Sequence, residues 1–556
     1  MEYNRVCEEY MLEFVAFLCG AAVMTLEMTG SRILAPYLGS SVLVWTALIG
    51  VIMAFLSVGY WLGGKMADQS PTTKKLAAII IAAAFSVLMI GVFHAGLLGA
   101  VSKVNFRPEM AAIIASIILF GPASLLLGMV SPYIVRVALQ LRSTPVEQAG
   151  SVIGRFAALS AVGSILGTFL GGYVFISWIG SRLTIYMIAS VLMSVAVLAL
   201  MAGRMAARDH KILYTIPCLG LLTSILFGGM QKLIEYDEFR SGVLRTDTRY
   251  SRLEIMDGKT AGGRVMRQLY TPPNLLQSGM YLDSPDSLAL SYTRHYALAW
   301  QLRPGASRFL MLGGAGYSVP KYLLGTRNDI TLDVAEIDPD MTRLARQYFN
   351  LKDDPRLSVY HEDARTYLNR YAMARAASGS TASGQGGADV EGAPGYDIIM
   401  GDTFSSAYNI PFQLSTVECA EKIYASLDED GVFISNVISA VTGEKGQLLR
   451  SLRASFEEVF PDVRVFPLAY SGNPSNVQNV MLVAFKQPQR LPTSQELKER
   501  GPDAALVATY PDLAKAELNT AAFMLQNEWL IKVAEDLPPM YDDFAPVERY
   551  ALPLLY

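Results

Sequence analysis

Long apolar runs dominate the first part of the chain and predict membrane-spanning helices. Seven of them approach the roughly 20 residues that a helix needs to cross a bilayer. They are Leu12 to Thr29, Val42 to Gly64, Leu76 to Val101, Ala111 to Val130, Phe156 to Trp178, Leu183 to Ala202 and Ile212 to Met230. We therefore expect residues 1–230 to form a helical domain embedded in a lipid bilayer.

After Met230 the pattern becomes that of a soluble α/β protein. Ser251 to Met256 and Val265 to Tyr270 predict a small β-rich region within residues 231–303. From Arg308 to Ala335 a strand, a glycine-rich turn, a helix and a second strand follow one another, which is how a doubly wound sheet begins. We expect residues 304–556 to form this Rossmann-like domain, with a flexible Ala-, Ser- and Gly-rich insertion at 374–394.

Composition and charge separate the same two parts. Of the 556 residues 52% are hydrophobic and 17% charged, whereas an average soluble domain is roughly 25% charged. Residues 1–230 carry 14 Lys and Arg and 9 Asp and Glu, and the remainder carries 32 and 41. The acidic soluble part argues against a nucleic-acid partner, because phosphates need a basic face. The four cysteines lack the spacing of a disulfide framework or a zinc site, so no metal is expected.

A glycine-rich turn marks the candidate ligand site. The turn from Gly313 to Gly316 follows the first strand of the sheet, where a ligand comes close to the backbone and a side chain would block it. Glu336 and Asp338 follow the second strand, where a carboxylate can accept hydrogen bonds from ribose hydroxyls. An incomplete G-x-G-x-x-G pattern without a basic residue for a pyrophosphate favours a nucleoside such as S-adenosylmethionine over NAD.

Two more acidic residues follow the third and fourth strands. Asp363 comes after Leu357 to Tyr360 and either accepts from an adenine amino group or caps the helix that begins at Ala364, and the two roles are compatible. Asp402 comes after Tyr396 to Met400. It is therefore expected at the same carboxyl edge of the sheet as the glycine turn, where open α/β sheets bind their ligands.

The order of these segments carries a family resemblance. In the soluble part the segments are Ser251 to Ile255, Gln277-Ser278, Leu312 to Gly316, Glu336 to Asp338, Glu362 to Ala364 and Asp397 to Phe404; in the rest of the chain they are Ser31 to Tyr37, Gly59 to Gly64, Gly128 to Pro132, Gly163 to Thr168 and Asp542 to Glu548. The chain resembles the spermidine synthases, or polyamine aminopropyltransferases, and more closely their membrane-fused relatives. The resemblance implies a Rossmann-like domain of the S-adenosylmethionine-dependent methyltransferase type.

The resemblance also implies roles for single residues. The nucleoside would be contacted by Gln277, Gly313, Gly314, Ala315, Gly316, Glu336, Asp363 and Ala364. Asp402 would be the catalytic acid residue, taking the ammonium proton of the amine, and Tyr292 would line the amine site. The implied substrates are decarboxylated S-adenosylmethionine and putrescine or a related amine, with methylthioadenosine as the released product.

Departures from the family pattern keep other functions open. Gly316 stands where the family has an aspartate that holds the aminopropyl ammonium group, and Tyr292-Thr293-Arg294 replaces Tyr-His-Glu. Asp402 to Ser406 replaces Asp-Ser-Ser-Asp-Pro. Arg294 either faces solvent or meets the carboxylate of intact S-adenosylmethionine. The alternatives are lyase-type cleavage of S-adenosylmethionine to methylthioadenosine and a lactone, methyl transfer from it, or a transporter with a nucleoside-sensing domain.

Orientation and assembly are the remaining expectations. Most basic loop residues fall in alternate loops, and the positive-inside rule places these loops and the N-terminus in the cytoplasm. Seven spans would then put the soluble domain outside, although its nucleoside is cytosolic. Either the span count differs by one or the charge rule fails, and we expect a bacterial inner-membrane protein with a cytoplasmic catalytic domain. Small residues from Gly154 to Gly172 predict close helix packing within the bundle, with a homodimer face as the alternative.

Overall fold

The computed structural model of the chain separates it into two compact units. It describes residues 2–39, 41–69, 71–101, 103–104, 107–142, 149–202, 211–271, 275–380, 393–403, 410–468, 473–502, 506–507, 511–526 and 537–555. One unit comprises Met1–Glu254 with Thr271–Pro273, and the other comprises Ile255–Tyr270 with Asn274–Tyr556. The domain boundaries at 230 and 303 stay predictions.

Seven long helices make up most of the first unit. They are α1 (Glu2–Leu38), α2 (Val42–Gln69), α3 (Thr73–Val101), α4 (Pro108–Arg142), α5 (Ala149–Leu170), α6 (Ser181–Ala202) and α7 (Lys211–Arg240). Each contains a stretch long and apolar enough to cross a membrane, and the stretch of α5 continues into a π-helical segment, Gly171–Ile179. The seven predicted spans are therefore confirmed as helices of the required length and composition.

Glycines allow α1 and α5 to pack with their backbones in contact. A Cβ atom on Gly163 would lie 2.0 Å from the Phe17 carbonyl oxygen, and one on Gly167 would lie 2.3 Å from that of Ala21. Gly154 has no such neighbour within 4 Å in the described structure. The predicted packing within the bundle is confirmed for Gly163 and Gly167, whereas the homodimer stays a prediction.

A four-stranded sheet contains the predicted β-rich region. Its strands are β1 (Val243–Asp247), β2 (Arg252–Lys259), β3 (Val265–Thr271) and β4 (Leu275–Tyr281), in the order β1-β2-β3-β4. In β2, the side chains of Leu253 and Ile255 are buried while the residues between and around them are more exposed, the alternation expected of a strand with one covered face. The strands predicted near Ser251 and Val265 are thus confirmed.

The second unit is built around a seven-stranded sheet. Its strands are β5 (Arg308–Leu312), β6 (Thr331–Ala335), β7 (Leu357–Tyr360), β8 (Tyr396–Gly401), β9 (Leu427–Ser439), β10 (Asp462–Pro467) and β11 (Gln478–Phe485), in the order β10-β11-β9-β8-β5-β6-β7. The five strands from β9 to β7 are parallel, and β10 and β11 are antiparallel to their neighbours. The predicted doubly wound sheet is confirmed.

Along the chain, the described helices of the second unit lie before, between and after the strands of this sheet. They are α8 (Ala297–Leu302), α9 (Ser318–Thr326), α10 (Pro339–Tyr348), α11 (Ala364–Ser380), α12 (Val417–Ser426), α13 (Gln447–Glu457), α14 (Ser494–Arg500), α15 (Pro511–Gln526) and α16 (Val547–Ala551). Strand residues such as Phe309 and Ile399 are fully buried, as expected of a parallel sheet covered on both faces.

The strand register places four strand ends at one level. Leu312 pairs with Ala335 and with Gly401, and Ala335 pairs with Tyr360. The loops after β5, β6, β7 and β8 therefore start side by side at the carboxyl edge of the sheet. This is the edge where ligands bind in open α/β folds.

The first residues of the predicted flexible insertion at 374–394 belong to a helix, and the flexibility of the insertion stays a prediction. Helix α11 continues through Ala374 to Ser380, because the alanines at the beginning of the insertion are strong helix formers. Residues 381–392 of the predicted insertion lie outside the described residues.

Candidate active site

The glycine turn runs directly against the loop after β8. Gly313 has φ of +89°, and a Cβ atom there would lie 2.6 Å from the carbonyl oxygen of Asp402. Glycine is therefore required at Gly313 both for the left-handed backbone and for the close approach. Ala315 (φ +45°) and Tyr317 (φ +55°) also have positive φ, so the turn is tightly wound before α9 begins at Ser318.

Glu336 holds the glycine turn in place from the end of β6. Its Oε2 accepts hydrogen bonds from the backbone N–H of Gly314 (2.8 Å) and Ala315 (3.1 Å), and its Oε1 accepts from Asp338 N–H (2.9 Å). Burial raises the pKa of the Glu336 carboxyl, and the three N–H donors oppose that rise by stabilising the charged form. Glu336 thus lies at the predicted nucleoside site, and its contact with ribose stays a prediction.

Asp338 is the N-cap of helix α10. Its side chain accepts a hydrogen bond from Asp340 N–H (3.1 Å), and Pro339 occupies the first helical position, a common arrangement at a helix start. The Asp338 side chain is buried. This capping role accounts for the residue type, and the predicted contact with ribose stays a prediction.

Asp402 lies at the centre of a polar cluster at the carboxyl edge. Its Oδ2 accepts a hydrogen bond from the Tyr292 hydroxyl (2.9 Å), and its Oδ1 accepts one from the Asn436 amide (3.4 Å). Burial raises the pKa of Asp402 to about 6, and the two hydrogen bonds work against that rise. A carboxylate with such a pKa is ionised at neutral pH and can accept a proton.

Two tyrosines on one short 3₁₀ turn, Tyr292–Tyr296, face the end of β8. The Tyr296 hydroxyl donates to the Gly401 carbonyl oxygen (2.6 Å), while Tyr292 donates to Asp402. Burial, and then the charge of Asp402, raises the pKa of Tyr292 well above its usual range. Tyr292 therefore remains a protonated donor, and the structure brings the two predicted catalytic residues into direct contact.

Asp363 caps helix α11, which is one of the two roles expected of it. Its Oδ1 accepts from the backbone N–H of Arg365 (2.9 Å) and Thr366 (3.2 Å), and its Oδ2 accepts from the Gln413 amide (3.2 Å). Ala364 is buried at the first helical position. Contact of Asp363 and Ala364 with adenine stays a prediction.

The remaining predicted contacts come from β4. Gln277 is half-buried there, and the hydroxyl of its neighbour Ser278 accepts a hydrogen bond from Gly316 N–H (2.9 Å). Strand β4 thus reaches the far end of the glycine turn. The nucleoside role of Gln277 stays a prediction.

Two of the departures from the family pattern lie in the described structure, and one of them has a steric explanation. A Cβ atom on Gly316 would lie 2.7 Å from the Ser278 Cβ, so the turn has no space for a side chain there. Arg294 is exposed, and its Nε donates to the Leu288 carbonyl oxygen (3.2 Å). The segment Phe404 to Ser406 of the third departure lies outside the described residues.

Sequence reasoning missed Asn436 and Tyr296 as members of the site. Strand β9 pairs with β8 in parallel, with Ser435 opposite Gly401, so Asn436 comes one residue beyond the matched strand ends. An asparagine inside the largely apolar run from Val432 to Ile438 was the available signal. Across the described residues no group of three or more His, Cys, Asp or Glu side chains is arranged to hold a metal ion.

The Tyr292 hydrogen bond should set the pH at which Asp402 ionises. We expect Tyr292→Phe to raise the pKa of Asp402 above its value of about 6, because the variant loses a donor to the charged form. The acidic limb of a pH profile of kcat/KM should then move to higher pH. Tyr296→Phe, which removes a hydroxyl bonded to Gly401 instead, is the control and should leave the limb in place. An unmoved limb in Tyr292→Phe would contradict this role.

The lack of space for a side chain at Gly316 can be tested by the thermal stability of a variant. We expect Gly316→Asp to lower the melting temperature, since the new Cβ would overlap Ser278 and overpacking costs about 1–3 kcal/mol. Adding Ser278→Gly should restore part of the loss, because it removes the overlapping Cβ but also the acceptor of Gly316 N–H. The control Gly262→Asp makes the same charge change where the nearest atom is 3.9 Å from a Cβ. Equal melting temperatures for the Gly316 variant and the control would refute the steric explanation.

Comparison with known proteins gives distant relatives for the C-terminal half. No family model matches the chain. A polyamine aminopropyltransferase from Vibrio vulnificus (strain CMCP6) is 26% identical over 273 residues, which are 49% of this chain and 79% of that protein. The eEF1A lysine and N-terminal methyltransferase of Homo sapiens is 28% identical over 195 residues, 34% of this chain and only 24% of that protein.

Solved structures include similar chains. The crystal structure of a probable spermidine synthase from Corynebacterium glutamicum ATCC 13032 matches 44% of this chain and 82% of its own, with 20% identity and a TM-score of 0.36. The sequence relatives alone show distant similarity to polyamine aminopropyltransferases over the C-terminal half of the chain.

Proposed function

We propose that the second unit is an aminopropyltransferase. It would move an aminopropyl group from decarboxylated S-adenosylmethionine to putrescine or a related amine and release methylthioadenosine. The observation that carries the proposal is the contact of Tyr292 and Asn436 with Asp402, beside the glycine turn. Similarity to a polyamine aminopropyltransferase over most of that protein's length supports it.

The proposed reaction needs a carboxylate more than any other group. The sulfonium makes the adjacent aminopropyl carbon electrophilic, and the amine nitrogen attacks it while the carbon–sulfur bond breaks and its electron pair returns to sulfur. The attacking nitrogen becomes cationic and must lose a proton, which Asp402 would accept. The charged carboxylate would also stabilise that cation as it forms. Tyr292 would fix the orientation of the carboxylate.

Intact S-adenosylmethionine is the second candidate donor. The close contact of Gly316 with Ser278 leaves no space for the acidic anchor that the family uses for the aminopropyl ammonium group. The methyltransferase relative, 28% identical, is a further reason to retain methyl transfer beside lyase-type cleavage. These reactions would use the same glycine turn and Glu336.

One assay with the full-length protein in maltoside micelles separates the candidates. Each nucleoside is supplied with and without putrescine, and the products are identified by mass spectrometry. Spermidine from decarboxylated S-adenosylmethionine supports aminopropyl transfer. Methylthioadenosine without an amine supports the lyase, and a methylated acceptor or S-adenosylhomocysteine supports methyl transfer. No turnover with either donor would reject the enzyme and leave the nucleoside-sensing transporter.

The proposed location is a bacterial inner membrane, with the catalytic unit in the cytoplasm. The seven candidate spans among the described helices support the alternative in which the charge rule fails. The N-terminus would then lie outside. Reporter fusions at both termini test this proposal: an active periplasmic reporter at the C-terminus would contradict it.

A further inference from the structure

An ionic cavity of 140 Å³ lies within the first unit, at one end of the helical bundle. Its walls are the turn after the π-helical segment, the first turn of α6, the C-terminal part of α7 and the strands β1 and β2. The charged residues that line it include Arg182, Lys232, Arg245, Asp247 and Arg252. None of these residues belongs to the candidate active site.

Most of the charges around this cavity have partners inside the protein. Lys232 Nζ lies 3.2 Å from Glu235 Oε2, and Arg245 Nε lies 3.0 Å from Glu254 Oε2. Asp247 Oδ2 accepts a hydrogen bond from Ser181 N–H (2.8 Å) at the start of α6. These three groups are therefore compensated without a ligand.

Arg182 and Arg252 differ from the others. In the described part of the chain neither forms an ion pair, and the Nε of Arg182 is buried without a hydrogen-bond partner. The two arginines line the same cavity, where Arg252 repels Arg182 and Asp247 attracts it. A buried guanidinium donor is costly to leave unsatisfied, and a second cation beside it adds repulsion. An anion between the two arginines would remove both penalties.

The cavity lies where two apolar helical stretches end. Helix α6 has no charged residue after Arg182, and α7 has none between Lys211 and Lys232. Trp178 lines the same cavity with 81% of its surface exposed, and tryptophan is typical of membrane–water interfaces. The two arginines are therefore expected at the level of lipid headgroups, where basic pockets between helices bind anionic lipids.

We propose that this cavity binds a phosphate-bearing anion between Arg182 and Arg252. The planar guanidinium forks match the geometry of phosphate oxygens. The phosphate can come from the headgroup of an anionic lipid or from free phosphate.

Ligand titrations of the full-length protein in phosphate-free maltoside micelles test the proposal. The ligands are phosphatidylglycerol, phosphatidylcholine and inorganic phosphate, and the readout is the melting temperature as a function of ligand concentration. Phosphatidylglycerol should stabilise the wild-type protein more than phosphatidylcholine does. Arg182→Gln/Arg252→Gln should weaken the binding at least about tenfold, since charge-assisted hydrogen bonds are the strong ones.

Controls distinguish loss of the site from loss of charge or of folding. Lys103→Gln/Arg107→Gln removes the same charge from the α3–α4 connection, on the same side of a seven-span bundle, and should bind like wild type. Arg182→Lys keeps the charge but loses the fork, so intermediate affinity is expected. Stabilisation by inorganic phosphate alone would support a free anion as the source. Equal responses of wild type to both lipids and none to phosphate would overturn the proposal, as would unchanged binding in the double variant.

Discussion

Asp402→Asn is expected to abolish turnover while nucleoside binding survives. The amide can still accept the Tyr292 hydroxyl, so the local geometry is retained, but it cannot take the proton of the attacking amine. Loss of a positioned general base typically costs about a hundredfold to ten-thousandfold in rate. The measurements are kcat with the active donor and the dissociation constant of methylthioadenosine by calorimetry.

The control for Asp402→Asn is Asp353→Asn, the same change on an aspartate whose side chain is 88% exposed. It should leave both kcat and binding unchanged. Full activity in Asp402→Asn would remove the carboxylate from the mechanism. A parallel loss of activity and binding would instead assign Asp402 to holding the glycine turn, whose Gly313 contacts its backbone oxygen.

Glu336→Gln should reduce nucleoside affinity about tenfold or more and lower the melting temperature. The Glu336 carboxylate accepts from three backbone N–H groups, whereas a glutamine offers one acceptor oxygen and an NH₂ group that opposes the others. Either the turn or the start of α10 therefore loses an acceptor, at about 1–3 kcal/mol for an unsatisfied buried group. Calorimetry and thermal unfolding measure the two effects.

Glu362→Gln is the matched control for that variant. Glu362 follows β7 at the same edge of the sheet, but its carboxylate pairs with Arg370 on the surface of α11. The control should bind the nucleoside with wild-type affinity. If Glu336→Gln melts earlier but binds equally well, Glu336 supports the turn without contacting the nucleoside.

The pattern of hydrophobic residues predicted the strands of the site with almost the correct first and last residues. Strands β5, β6 and β7 have the predicted end residues. Only β5 is buried along nearly its whole length, as a central parallel strand is expected to be, whereas β6 contains Asp333 and β7 an exposed Ser358. The approach of Asp402 to the glycine turn followed from the same reasoning. Parallel strands end at a common edge, and only the chain order is needed to know which loops meet there.

Contacts that depend on register or on distant loops could not be predicted. Asn436 reaches Asp402 because β9 pairs with β8 at one particular offset, which periodicity does not fix. Ser278 meets Gly316 from a strand of the other sheet, 38 positions earlier in the chain. Helix α11 extends to Ser380, past the predicted start of the insertion at 374, because the low-complexity composition there includes alanines that favour a helix.

The tight pairing of α1 with α5 has a consequence for how the protein is made. Phe17 is synthesised almost 150 residues before Gly163, whose backbone it contacts. During insertion, this face of α1 must therefore stay uncovered in the bilayer until α2, α3 and α4 have been made and α5 has left the ribosome. A nascent chain that stops after α4 would expose this face to the quality-control machinery of the membrane.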